Sequence, residues 1–209
     1  RDGVDGMINV TFSTPADIIM GMGVVEVLTI VLQRYTVHVA IFQPAMKSLV
    51  NLCPDSPLTR NFIYEPLYEK HHVDLLDFLL YHIATPERVK GLAPEILDNI
   101  VWGLAGVCDS QNIPCKYSLH MLGRVRDPLI LLLDLLSKTM QDREQVITYI
   151  GSVLKSLAID CDTAIGIIVR YSGTLVQHTA TMMKLRLEKA GVPYLGLLSQ
   201  IAQYDSTTL

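Results

Sequence analysis

Proline follows a helix-capping residue at three points in the chain, and this pairing constrains the fold more than any other feature. Thr, Ser, Asp and Asn side chains accept hydrogen bonds from the first N–H groups of a helix. Proline suits the first helical position, where its missing N–H costs nothing. The three pairs are Thr14-Pro15, Thr85-Pro86 and Asp127-Pro128, and weaker versions are Gln43-Pro44, Ala93-Pro94 and Val192-Pro193. The pattern predicts an all-α chain with short connections.

Apolar residues recur at helical spacing through most of the chain, which supports the same prediction. Asp142 with Gln145 resembles a capping box that opens a helix. A long helical segment, with a break near Gly173, is expected to end at Gly191. The clearest predicted helices are residues 66–83, 94–107, 142–157, 162–190 and 193–204. We therefore expect a compact multi-helix domain of roughly seven to nine helices.

The segment before Pro44 is ambiguous between helix and strand. Residues 24–42 are dense in β-branched side chains, which favour strands, and residues 35–42 fit a strand pattern. A small β-hairpin near residues 4–42, with residues 4–12 as the other strand, is an alternative. Helix is favoured because Thr14-Pro15 would begin it and Pro44 would end it.

Charge is distributed unevenly along the chain. Residues 1–115 carry 13 acidic and 7 basic side chains, a net charge of −6, whereas residues 116–209 carry 8 and 10, a net charge of +2. We expect one all-helical domain over residues 1–209. A subdivision near 110–127 would separate an acidic N-terminal part, 1–109, from a mildly basic C-terminal part, 116–209.

The composition excludes several classes of protein. Half of the residues are hydrophobic and only 18% are charged, whereas ordinary soluble domains have about a quarter charged. This balance excludes a disordered chain, and the net charge of −4 argues against a strongly basic nucleic-acid binder. Glu26 divides the apolar residues 18–32, so no membrane span is predicted. Residues 1–14 contain no signal peptide, so we expect an intracellular, cytoplasmic protein or a virion component.

No motif in the chain predicts an enzyme, a cofactor or a metal. Gly21-Met-Gly23 lacks the third glycine of a dinucleotide-binding loop. Glu69 and His72 form one Glu-x-x-His pair, whereas helical di-iron proteins need two. His178 is expected to be a hydrogen-bonded structural histidine. The cysteines have no C-x-x-C spacing and are predicted to be buried small hydrophobes, without a disulfide framework; they are Cys53, Cys108, Cys115 and Cys161.

The apolar surplus favours an assembly protein. The chain has more hydrophobic helix faces than one core needs to bury. Large exposed apolar patches on soluble proteins mark partner sites. The leading prediction is a non-catalytic helical protein that self-associates or packs into a larger complex with another protein. Viral shell and core components have this kind of composition.

Two alternatives belong to other classes. A nucleocapsid-type RNA- or single-strand-binding domain would use a basic groove in the C-terminal half, with Tyr117 and Tyr171 as stacking surfaces. Its candidate contacts are Lys116, Arg124, Arg126, Arg170, Lys184 and Arg186. A helical bundle that binds an apolar small ligand would enclose it with Met20, Met22, Phe42 and Trp102.

Overall fold

The computed structural model describes residues 23–52, 75–108 and 115–207, without the side chains of 75–77, 115–117 and 205–207. The all-α prediction is confirmed, since these residues form helices and short connections without a strand. The chain divides into two compact units, Arg1–Ser110 and Gln111–Leu209. The first contains α1 (Val24–Arg34), α2 (Val39–Leu52), α3 (Leu75–Ile83), α4 (Pro86–Gly91) and α5 (Pro94–Cys108).

The second unit contains five α-helices among its described residues and two 3-10 turns, Met140–Arg143 and Val169–Tyr171. The helices are α6 (Cys115–Leu136), α7 (Glu144–Ala158), α8 (Asp162–Ile168), α9 (Ser172–Lys184) and α10 (Glu188–Thr207). Helix α7 packs mainly on α10, which also contacts α8 and α9. The predicted subdivision near 110–127 into separate domains stays a prediction.

Glycines allow the closest helix approaches in both units. In the first unit, a Cβ on Gly103 would lie 2.5 Å from the Met46 sulfur, so α5 sits directly against α2. In the second, a Cβ on Gly151 of α7 would lie 2.5 Å from the ring of Tyr194 on α10. Tyr194 is fully buried, and its hydroxyl donates a hydrogen bond of 2.9 Å to the Ile147 carbonyl. A side chain at Gly151 would collide with the buried Tyr194 ring, and one at Gly103 would have to displace the Met46 side chain.

The proline pattern predicted some helix starts correctly and others wrongly. Thr85 does cap α4, accepting a hydrogen bond from the Arg88 backbone N–H, and Pro94 does begin α5. Pro44, Pro128 and Pro193 were expected at helix starts, and this is wrong, because each lies inside a continuous helix. An internal proline costs about 3 kcal/mol. Burial of the neighbouring apolar side chains offsets that cost, since Val125 and Leu129 around Pro128 are both fully buried.

Several other boundaries differ from the sequence prediction. Residues 35–42 do not form the strand of a hairpin, because α2 begins at Val39 and Phe42 is buried in the core. The proposed partner strand, residues 4–12, lies outside the described residues, as does Thr14-Pro15. No side chain caps α7, so the predicted capping box is absent.

Helix α9 ends at Lys184 and not at Gly191. Arg186 takes the left-handed conformation, with φ of 58°, that glycine usually supplies after a helix. The Leu187 N–H donates to the Met182 carbonyl and the Arg186 N–H donates to the Met183 carbonyl, which is the Schellman arrangement. Gly191 instead lies inside α10.

Cys161 corrects the cysteine prediction. It is disulfide-bonded, and its partner lies outside the described side chains. Cys108, as predicted, is a buried cysteine. The sequence spacing gave no signal for the disulfide, since pairing depends on distances between distant parts of the chain.

None of the helices in the described residues combines the length and the apolar character needed to cross a bilayer.

Candidate functional site

Arg126, Asp127 and Tyr171 form a polar cluster in the second unit. The Arg126 guanidinium donates two hydrogen bonds to the Asp127 carboxylate, of 2.8 and 3.2 Å. The Tyr171 hydroxyl donates to the same carboxylate at 2.7 Å, and the guanidinium carbon lies 5.3 Å from the centre of the Tyr171 ring. The cluster thus joins α6 to the 3-10 turn that precedes α9.

The electrostatics of the cluster follow from these hydrogen bonds. The hydrogen bonds from Arg126, which have the larger effect, and from Tyr171 hold the pKa of Asp127 below its usual value. The same carboxylate raises the pKa of Arg126. Two of the guanidinium N–H groups are therefore committed to a carboxylate, which reduces their capacity to bind a phosphate.

The remaining nucleic-acid candidates do not form one cluster in the second unit. Arg124 is half-buried with interactions of its own, and the side chain of Lys116 is outside the described residues. Arg170 is exposed just before α9, whereas Lys184 and Arg186 are exposed at its far end. The 13 residues of α9 separate the two groups by about 20 Å. The RNA-binding alternative stays a prediction.

His178 and Asp134 form a second polar contact. His178 is buried on α9, and its Nε2 lies 2.7 Å from an Asp134 carboxylate oxygen on α6. The predicted hydrogen bond of His178 is confirmed. A carboxylate that orients an imidazole also occurs in hydrolases. The contact ties α6 to α9, and no hydroxyl or thiol of the described residues is hydrogen-bonded to this imidazole.

Exposed apolar side chains cluster on two surfaces. Ten large hydrophobic residues of the described chain are substantially exposed, and eight of them fall into two groups of four. The first group, which we call the hairpin face, lies on α9 and α10 and consists of Val176, Met183, Val192 and Leu195. The second, which we call the α1 face, lies on α1 and the link that follows it and consists of Val27, Ile30, Tyr35 and Val37.

The hairpin face spans two antiparallel helices that pack together. Val176 and Met183 are seven residues apart, so they lie on the same side of α9. The Met183 sulfur lies 3.6 Å from the position of a Cβ on Gly191, next to Val192 on α10. Small exposed residues, Ala180 on α9 and Ala202 on α10, extend the apolar surface along both helices. Exposed apolar side chains therefore lie on both helices where α9 and α10 pack together.

Basic side chains border the hairpin face. Lys184, Arg186 and Lys189 are exposed where α9 turns into α10. Glu188 is the one acidic residue between positions 172 and 204. The apolar surface therefore has a positively charged end.

The two other exposed hydrophobic residues lie on other elements of the chain. Tyr81 on α3 carries the Arg88 guanidinium 3.7 Å above its ring, and Arg88 also donates to the Tyr81 carbonyl at 3.0 Å. Burial, and then the charge of Arg88, lower the pKa of the neighbouring His82. Ile159 is the other, in the link after α7.

The apolar-ligand alternative is only partly visible. Phe42 is fully buried and Trp102 half-buried on α5, whereas Met20 and Met22 lie outside the described residues. This alternative stays a prediction. No three His, Cys, Asp or Glu side chains of the described ranges come together as a metal site requires.

Comparison of the chain with protein-family models, with curated proteins and with solved structures finds no match.

Sequence reasoning singled out Arg126 and Tyr171 but missed what joins them, and it missed the hairpin face. Asp127 was assigned to a helix cap, and nothing local signals its pairing with a tyrosine 44 residues away. Helix α9 has apolar residues on more than one side, with Leu175 and Met182 buried beside Val176 and Met183. Its periodicity alone therefore does not tell which of them face solvent.

Proposed function

We propose that this chain is a non-catalytic helical assembly protein that self-associates through exposed apolar helix faces. The observation that carries the proposal is the hairpin face. Val192 on this face is 63% exposed although its neighbours Pro193 and Tyr194 are buried. The apolar surplus that the sequence indicates is therefore concentrated on particular helices.

The clustering of the exposed apolar side chains favours an association surface over an ordinary solvent-exposed surface. Single exposed hydrophobic residues are normal in monomers, but contiguous apolar surface bordered by polar residues is typical of interaction sites. Val176, Met183, Val192 and Leu195 lie on adjacent helices, and the charged residues Lys184 and Lys189 stand at their border. Protein interfaces have this arrangement of an apolar centre and a polar rim.

The faces are also built on rigid elements. Helix α10 is anchored by the buried Tyr194, and α9 is held to α6 through His178 and Asp134. The backbone that carries the hairpin face therefore has little conformational entropy left to lose on association, which favours binding.

The experiment is light scattering on the purified chain at increasing concentration. From about 1 µM to about 1 mM, a modest association free energy of about −8 to −4 kcal/mol populates oligomers. We expect the mean mass to rise above the 23.3 kDa of one chain. A mass that stays at one chain throughout this range would contradict the proposal.

A further inference from the structure

The hairpin face combines large and small side chains at a regular spacing. On each of its two helices, an exposed uncharged residue recurs at intervals of three, four and three residues, so that each set forms one row along its helix. Each row contains two of the large residues of the hairpin face, and its other two positions are small. The row on α9 is Gly173, Val176, Ala180 and Met183, and the row on α10 is Val192, Leu195, Ser199 and Ala202.

The two rows lie side by side, and their residues pair level by level. The Met183 sulfur lies 3.6 Å from the position of a Cβ on Gly191, so Met183 and Val192 share the level nearest the turn between the helices. Both helices rise by about 1.5 Å per residue away from this turn, so equal steps along each reach the same level. The next levels pair Ala180 with Leu195, Val176 with Ser199, and Gly173 with Ala202. Both residues are therefore large at the turn, and both are small at the open end.

Charge is confined to the turn end of this surface. Between positions 172 and 204, Asp, Glu, Lys and Arg occur only within residues 184–189. A partner that covers the two rows therefore removes no charged group from water, which suits the centre of an interface. The cations Lys184, Arg186 and Lys189 at the turn are exposed, and they disfavour any arrangement that brings other cations close.

The face is complementary to itself when a second copy lies on it end for end. A two-fold axis across the helices places α9 on α9 and α10 on α10 of the second copy, running in opposite directions. Every large residue then faces a small one, and this is how closely packed surfaces interdigitate. The facing pairs, with one residue from each copy, are Met183 with Gly173, Val176 with Ala180, Val192 with Ala202, and Leu195 with Ser199.

The other two-fold arrangement fits poorly. With the axis along the helices, α9 of one copy lies on α10 of the other and both turns come to the same end. Met183 then faces Val192, while Gly173 faces Ala202, so the surfaces are overpacked at one end and leave a gap at the other. The three cations of each turn also meet. In the end-for-end pair each turn approaches instead the open end, where Arg170 is one exposed cation before the start of α9.

The size of the face indicates how strong such a pair is. Helix α9 has 13 residues and is about 20 Å long, and two adjacent helices are together about 20 Å wide. The projected contact is thus about 400 Å² per copy and about 800 Å² in total, which is in the range of weak, reversible complexes. The pair is therefore expected to dissociate on dilution.

On these grounds we infer that the occupant of the hairpin face is the hairpin face of a second copy of this chain, laid end for end in a closed two-fold dimer. The inference rests on the proposed self-association and specifies its partner surface. Because both copies use the same surface, the contact is saturated when two chains have paired.

Enlarging a small position tests the facing pairs. Ser199→Leu adds apolar surface at an exposed site, but it places a leucine against Leu195 of the second copy. The dimer Kd should therefore rise about tenfold, although the face has become more hydrophobic. Adding Leu195→Ser in the same chain exchanges the two sizes and restores a large residue against a small one. The double variant should return to within about threefold of the wild-type Kd.

Sedimentation equilibrium between about 1 µM and about 1 mM measures these constants. The mean mass of the wild-type chain should rise towards twice 23.3 kDa and not exceed it. Tighter association of Ser199→Leu, no recovery in the double variant, or a mass above two chains overturns the end-for-end dimer and leaves self-association standing. A wild-type mass that stays at 23.3 kDa overturns both. If that monomer sediments with vesicles of anionic lipid, the occupant is a lipid surface.

Controls separate the facing pairs from general effects of the substitutions. Thr163→Leu adds the same side chain at an exposed position of α8 and should keep the wild-type Kd. Should Ser199→Leu lose helical circular dichroism, a second exchange tests another facing pair. Ala202→Val alone should weaken the dimer, and Val192→Ala in the same chain should restore it.

Discussion

The ring of Tyr194 occupies the space in which a side chain on Gly151 would lie, so that α10 and α7 touch through an aromatic ring and a bare backbone. The tyrosine hydroxyl reaches past the glycine to the Ile147 carbonyl on the same helix. This contact fixes the helix that carries Val192 and Leu195. The stability of the second unit should therefore be sensitive to Gly151 and Tyr194.

Gly151→Ala should destabilise the protein. The added methyl group would lie 2.5 Å from the Tyr194 ring, which is fully buried and held by its hydrogen bond to the Ile147 carbonyl. We expect a loss of about 1–3 kcal/mol in the free energy of unfolding, measured with urea. Gly123→Ala is the matched control, because nothing lies near that position on α6 and the change should stabilise by about 0.5–1 kcal/mol. Equal effects of the two substitutions would contradict the packing described.

Tyr194→Phe should change how stability depends on pH. Burial raises the pKa of Tyr194 above its ordinary 10.0. A raised pKa in the folded state means that the hydroxyl's contribution is complete below pH 10 and is lost as the pH rises further, because only the unfolded chain ionises. At pH 8 the free energy of unfolding of the wild-type protein should exceed that of the variant by about 1 kcal/mol.

Above pH 10 this advantage should shrink by up to about 1.4 kcal/mol per pH unit, since phenylalanine cannot ionise. Urea unfolding of both proteins between pH 8 and pH 11 measures the difference directly. A constant difference across that interval would mean that the tyrosine is not buried as described.

Arg126→Met should raise the pKa of Asp127. The guanidinium hydrogen bonds are the main reason why this pKa lies below its ordinary 3.8, and the Tyr171 hydroxyl is the next. NMR titration of the carboxyl carbon should show a larger increase in Arg126→Met than in Tyr171→Phe. Because the pKa is depressed, the cluster stabilises the fold above pH 3.8 and loses this effect as the pH falls. The carboxylate is exposed, so the effect on stability should be small. An unchanged pKa in Arg126→Met would refute the pairing.

Cysteine reactivity tests the disulfide at Cys161. The chain has four cysteines, and one disulfide uses two of them. In denaturant without reductant, a thiol reagent should therefore modify about two cysteines per chain, and after reduction four. Cys161→Ser should leave its former partner reactive. Four reactive thiols before reduction would show that the disulfide is absent from the isolated protein.

The helical class of the fold could be predicted from the sequence because capping and periodicity are local. Thr85 before Pro86 and the spaced apolar residues of α7 act within a turn or two of chain. The predicted positions of helix ends were wrong where the local signals were ambiguous. Pro128 and Pro193 are tolerated inside helices because each has a fully buried neighbour, Leu129 and Tyr194, whose packing offsets the cost. The end of α9 uses Arg186 in a conformation that normally indicates glycine.

The candidate surfaces depend on tertiary packing, which the sequence does not encode within a short window. The contact of Asp127 with Tyr171 joins residues 44 positions apart. The exposure of Met183 beside the buried Met182 depends on where α10 lies. Composition correctly indicated many apolar residues but gave no means of locating those that face solvent.

The most direct test of the account is the light-scattering mass of Leu195→Glu beside that of Thr163→Glu at the same high concentration. Both substitutions add one negative charge to an exposed helical position, but only the first lies on the hairpin face. We predict that Thr163→Glu keeps the raised mass of the wild-type chain and that Leu195→Glu falls to 23.3 kDa. If Leu195→Glu associates as wild type does, the hairpin face is not the surface through which this protein assembles.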